Sequence, residues 1–140
     1  MKNTVLKIAT ATALLTFGIS YSSASDLANL DVKKECNVEV NGIEKVLETA
    51  KKYNEIAINN KVEFMRLGMK TSQYIEAVDA ALKSGAKNID IVDNKKKKTG
   101  EVTVEYGAWR ACAFAISAVT QHEDGKTSWK LASPSDGYKY

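Results

Sequence analysis

The chain has 140 residues, 44% of them hydrophobic and 26% charged, and its 20 basic and 17 acidic side chains leave a formal net charge of +3. So near a balance gives no global attraction to nucleic acid or an anionic membrane, and either would have to be drawn by a local patch. One histidine and two cysteines cannot furnish a histidine-rich zinc site, and the length suits a single domain with one modest core.

The N-terminus reads as an export signal. Lys2 and Lys7 give a positive start, residues 8–19 an apolar run softened by threonines, and Ser22-Ser23-Ala24 or Ser23-Ala24-Ser25 a small-x-small cleavage pattern. The run is short for a membrane span. Residues 1–25 are therefore expected to be a cleaved signal peptide. Residues 26–140 would then be one α+β domain, periplasmic or secreted, with no stable membrane insertion after cleavage. Cleavage removes Lys2 and Lys7 and no acid, leaving 18 basic against 17 acidic residues. In an oxidising compartment the two cysteines, Cys36 and Cys112, are expected to form one disulfide. A redox role would want a Cys-x-x-Cys spacing, which is absent.

Asn41 and Glu44 have the spacing of a capping box and predict a helix start. Ile43, Val46, Leu47, Ala50 and Ala57 then share one face, and the helix is expected to fray at Asn59-Asn60. Residues 61–69 fit either a short strand or a further helical stretch. Thr71 or Ser72 is the expected cap of the next helix, with Ile75, Val78, Ala81 and Leu82 inward and Gly85 as a left-handed stop.

Ile89–Val92 and Val102–Tyr106 are β-branched runs that predict a hairpin, its tip carrying Lys95, Lys96, Lys97 and Lys98. From Gly107 to Gln121 the residues Trp109, Cys112, Ala113, Ile116 and Val119 recur at helical spacing, which predicts a buried helix. The rival reading is a strand that turns at Asp124-Gly125 and returns through Thr127 to Leu131. Trp129 and Leu131 are expected in a final strand, followed by a polar, aromatic tail over residues 134–140. The fold class is thus α+β, with N-terminal helices packed on a small antiparallel sheet.

Catalytic motifs are missing. The Gly-x-Ser-x-Gly elbow, the calcium-loop pattern and the glycine-rich phosphate loop are all absent. His122-Glu123-Asp124 reads as a solvated loop beside a turn, and nothing in the sequence gathers Glu63, Glu76 and Asp79 into a cleft. The chain is expected to be non-catalytic, with no cofactor and no metal. The surface features that remain are the lysine tip, Trp109 and Phe114 as aromatic walls of a groove, and Trp129, Tyr138 and Tyr140 as an aromatic patch. They suggest an accessory protein that binds an envelope protein partner and no nucleic acid. An anionic envelope polymer or small ligand held by the Lys95–Lys98 tip is the alternative, and a small hydrolase using His122 or a carboxylate is the third reading.

Overall fold

A computed structural model of the chain describes residues 27–66 and 68–128. The expected signal peptide, the final strand with Trp129 and Leu131, and Tyr138 in the tail lie outside these residues.

After helical residues at Leu27-Ala28 come two one-turn helices, each started by a side chain that accepts from otherwise unpaired backbone donors. Asp31 Oδ1 accepts from the Lys33 N–H at 2.9 Å and begins α1 (Val32–Glu35). Asn37 Oδ1 accepts from the Val40 N–H at 3.1 Å and begins α2 (Val38–Asn41). The Asn41 side-chain amide donates back to the carbonyls of Lys34 (2.8 Å) and Glu35 (3.3 Å), which fastens α2 to the end of α1. With Asn41 engaged there, the expected capping box with Glu44 does not form. Gly42 is the N-cap of α3 (Ile43–Asn59) and contributes no side chain, but its φ of 77° lets the chain change direction between the two helices.

Helix α3 buries Val46, Leu47, Ala50, Tyr53, Asn54 and Ala57, one stripe at helical spacing, and Ile43 is half-buried. It ends in a Schellman arrangement. The Val62 N–H reaches the Ala57 carbonyl at 2.8 Å and the Lys61 N–H reaches that of Ile58 at 2.9 Å, with Lys61 at a φ of 60°. The ambiguous stretch that follows resolves as a minimal antiparallel hairpin of β1 (Met65–Arg66) and β2 (Met69–Lys70).

Helix α4 (Thr71–Ser84) is capped differently from the expectation. Thr71 and Ser72 are already its first residues, and the orphan donors are met by carboxylate and amide groups instead. Glu63 Oε1 accepts from the Ser72 N–H at 2.8 Å, Gln73 Oε1 from the Lys70 N–H at 2.7 Å, and the Thr71 hydroxyl donates to the Phe64 carbonyl. Tyr74, Ile75, Val78 and Ala81 are buried, but Leu82 is 36% exposed, off the inward stripe. Gly85 stops the helix in the left-handed region as expected (φ 71°, ψ 17°).

Strands β3 (Asn88–Val92) and β4 (Lys98–Thr103) pair antiparallel, with Ile89 opposite Val102 and Ile91 opposite Gly100. The ladder is irregular between Ile91 and Val92, where Thr99 is the extra residue of β4. Ile89 and Ile91 alternate inward while Asn88 and Asp90 face solvent. The strand expected to run to Tyr106 stops at Thr103, because the Thr103 hydroxyl accepts from the Tyr106 N–H at 3.2 Å and starts α5 (Val104–Ser128). Helix α5 continues through Asp124-Gly125, so the turn considered there is not made and His122-Glu123-Asp124 is helical. A single glycine costs a helix interior about 1 kcal/mol, and the Lys126–Glu123 ion pair at 2.7 Å spans that turn of the helix.

The core lies where α5 crosses α3 and α4. Ala108, Ala111 and Ala115 are fully buried in α5, and their small side chains let α3 approach closely. The fold is α+β in a single domain with small antiparallel sheets. Those sheets are two separate two-stranded hairpins, and most of the apolar interior is helix against helix. Cys36, between α1 and α2, is bonded to Cys112 of α5 across 76 residues with both side chains buried, so the expected disulfide is present.

Candidate binding site

The lysine-rich tip is smaller than the sequence implied. Asp93 organises it by accepting from the N–H groups of Lys95 (2.8 Å) and Lys97 (2.9 Å), and Lys96 takes a positive φ of 61°. Lys95, Lys96 and Lys97 are exposed around this carboxylate. Lys98 is the first residue of β4 and pairs with Asp90 and with Glu101 (2.8 Å), so it is not part of a free cationic knob. The Asp90 and Glu101 carboxylates hold the Lys98 ammonium above its ordinary pKa, and Lys98, with Asn88, holds the Glu101 carboxyl below its own.

Trp109 and Phe114 do not wall one groove. Five residues of helix separate them by about 140° around the axis. Trp109 is 42% exposed and packs against Tyr106 with ring centroids 5.4 Å apart. Phe114 is half-buried, edge-on to Tyr74 at 6.1 Å and to Phe64 at 6.2 Å. Trp129, Tyr138 and Tyr140 lie outside the described residues.

Between these two rings stands a group that the sequence analysis passed over as a site residue. Tyr106, Arg110 and Phe114 are spaced four apart along α5 and form a stripe on its surface. The Arg110 guanidinium lies over three aromatic rings, 5.1 Å from the Phe114 centroid, 5.5 Å from Tyr106 and 5.9 Å from Tyr74. It donates to the Tyr106 hydroxyl through one terminal nitrogen. Its Nε is buried with no hydrogen-bond partner among the described residues, and no carboxylate there forms an ion pair with it.

Arg110 lines an open cleft of about 830 Å³, with Tyr74 of α4, Ile91 of β3, residues 99–103 of β4 and Tyr106 as its other walls. A second hollow of about 740 Å³ lies between Trp109 and the segment around Cys36, bordered by Lys33, Val38 and Glu105. Thr103 and Tyr106 belong to both, so Tyr106 is the ridge between them. The cleft exists because Thr103 ends β4 and begins α5 at one point, which sets the first turns of the helix against the hairpin. A sequence signal for it was present in the i, i+3 and i+4 spacing of Tyr106, Trp109 and Arg110. Assigning Tyr106 to the strand broke that pattern.

Two of the three carboxylates considered for an enzymatic cleft, Glu63 and Asp79, have other engagements. Glu63 caps α4 and also accepts from the Asn54 amide at 3.2 Å. Burial raises its pKa, but the hydrogen bonds from Ser72 and Asn54 and the charge of Lys70 outweigh this and hold it below the ordinary value. Asp79 is paired with Lys51 and Lys83. Among the described residues no group of three His, Cys, Asp or Glu side chains is placed to hold a metal ion, and no helix is long and apolar enough to cross a membrane.

Fold and site together define a small disulfide-closed α+β domain with an arginine-bearing aromatic cleft. No family model matches the chain, and no curated protein or solved structure matches it either.

Proposed function

We propose that the chain is an exported, non-catalytic accessory protein, periplasmic or secreted, that binds another protein of the cell envelope as an inhibitor, immunity factor or subunit. The observation that carries this reading is the Tyr106–Trp109 pair, 40% and 42% exposed, at the shared edge of two hollows. Large aromatic side chains flanked by pockets are the usual anchors of protein interfaces, since they bury much area for little lost rotamer freedom. The Cys36–Cys112 bond ties the segment bordering one hollow to α5, so the surface is preformed and its ordering cost is already met. Export is supported by the N-terminal pattern and by the paired cysteines.

Lys95, Lys96 and Lys97 would steer an acidic partner toward this face and act mainly on the association rate. Binding an anionic polymer through the tip has less support, because Lys98 is neutralised by Asp90 and Glu101 and Asp93 sits inside the turn.

The test is affinity capture from the native envelope fraction with protein produced from the full-length chain, whose intact mass also reports cleavage near residue 25. A protein recovered in stoichiometric amount, and lost with Trp109→Ala, supports the reading. Equal recovery with Trp109→Ala, or no enriched protein, overturns it.

A further inference from the structure

Arg110 is a cation whose surroundings are arranged for an anion that the described residues do not supply. Three ring faces offset part of the cost of holding its guanidinium at a half-buried position, and one hydroxyl accepts from it, yet Nε is left without a partner. A buried donor without an acceptor forfeits its hydration with no return. A carboxylate is the group that matches a guanidinium in both charge and planar geometry. Glu101, the carboxylate that lines the cleft, is engaged elsewhere, since it accepts from Lys98 and Asn88. The remaining cleft walls, Tyr74, Ile91, Val102 and Tyr106, offer apolar surface beside the charge.

We propose that this cleft recognises a carboxylate presented beside an aromatic or aliphatic side chain, namely an acidic residue of the protein partner next to an apolar one. The proposal rests on the protein-binding reading above and specifies the chemistry of its contact. Arg110 takes the carboxylate, Tyr106 fixes the guanidinium through its hydroxyl, and residues 99–103 of β4 receive the neighbouring apolar group. The acid brings to the half-buried guanidinium the negative charge that no described carboxylate supplies, and its amide isostere can accept a hydrogen bond but carries no charge.

The probes are the blocked dipeptides acetyl-Phe-Asp-amide and acetyl-Phe-Asn-amide, which differ in charge and hardly in shape. The chain has only two arginines, Arg66 and Arg110, so the side-chain Nε–H signals in a nitrogen-15 correlation spectrum number two, and Arg66→Lys assigns them. Expected is a saturable shift of the Arg110 Nε–H and of the amides of residues 99–103 with the Asp peptide, and binding about tenfold weaker with the Asn peptide. Arg110→Gln should abolish the difference between the peptides. Because that variant loses its packing against three rings, the comparison of the two peptides on the unaltered protein stands as the primary readout. Equal responses to both peptides, or shifts that spare Arg110, overturn the proposal. If capture succeeds and the peptides are not discriminated, the site is wrong while the accessory role stands. If the peptides are discriminated and capture fails, the carboxylate site stands without an envelope protein to fill it.

Discussion

A Cβ added to Gly107 would stand 2.5 Å from Ile89 Cδ1 and 3.0 Å from Val78 Cγ2, so the crossing of α5 over β3 and α4 depends on a hydrogen at that position. This close approach sets the depth of the cleft, because Arg110 follows on the next turn of α5 and Ile91 is two residues along β3.

Gly107→Ala therefore has two opposed effects. Helix propensity improves by about 1 kcal/mol, while overpacking costs about 1–3 kcal/mol. The net expectation is destabilisation by about 1 kcal/mol, seen as a lower urea midpoint. Ile89→Val removes the nearest methyl, so the double variant should be more stable than the sum of the single effects by about 1 kcal/mol. Strict additivity would show that the contact relaxes elsewhere.

Cys36 and Cys112 close a loop that holds all of α3 and α4. Replacing both by Ser should lower stability by about 4 kcal/mol on the chain-entropy account, a large share of what a domain of this size possesses. Equilibrium unfolding with and without a reductant measures it. An unchanged midpoint would mean that helix packing alone holds Cys36 in place.

Lys61 occupies the left-handed position that ends α3, where a side chain is strained and glycine is not. Lys61→Gly is expected to raise stability by about 0.5–1 kcal/mol, after allowance for the added freedom of the unfolded chain. Thermal melts of the two forms decide this, and a loss of stability would show that the lysine contributes more by its contacts than it costs by its backbone.

Asp79 has its carboxyl held down to about 2, against an ordinary 3.8, by hydrogen bonds from Lys51 and Lys83 and by their charges. A carboxyl depressed in the folded state adds stability that is complete above its unfolded pKa and is lost as pH falls through the folded one. The advantage of the native protein over Asp79→Asn should thus be constant above about pH 4 and fade between there and about pH 2. Unfolding free energies of both proteins across that range provide the check. Parallel curves would show that the two ion pairs do not act on folding.

How far the sequence could be read is clear at particular residues. The stripe of Val46, Leu47, Ala50 and Ala57, the stop at Gly85 and the alternation of Ile89 and Ile91 are local, set by backbone periodicity and by a conformation that glycine adopts without strain. The caps of α3 and α4 were misread because the groups that satisfy their donors arrive from other segments: Asn41 turns back to α1, and Glu63 reaches forward to Ser72. The boundary at Thr103 was missed because Val104 and Tyr106 are residues of high strand propensity. A hydroxyl cap and the burial of Val104 against the core override that propensity.

By itself, the sequence determined the fold class and the pairing of two cysteines, since periodicity and cysteine number follow from chain order and composition. Which charges remain unpaired was settled only by tertiary structure: Lys98 loses its freedom to two carboxylates across and along a strand, while Arg110, unremarkable in sequence, is left over three rings without one among the described residues. Electrostatic partnership depends on distances in space, and the groups that neutralise Lys98 or cradle Arg110 come from segments whose approach only the packing of α4, α5 and the hairpin defines.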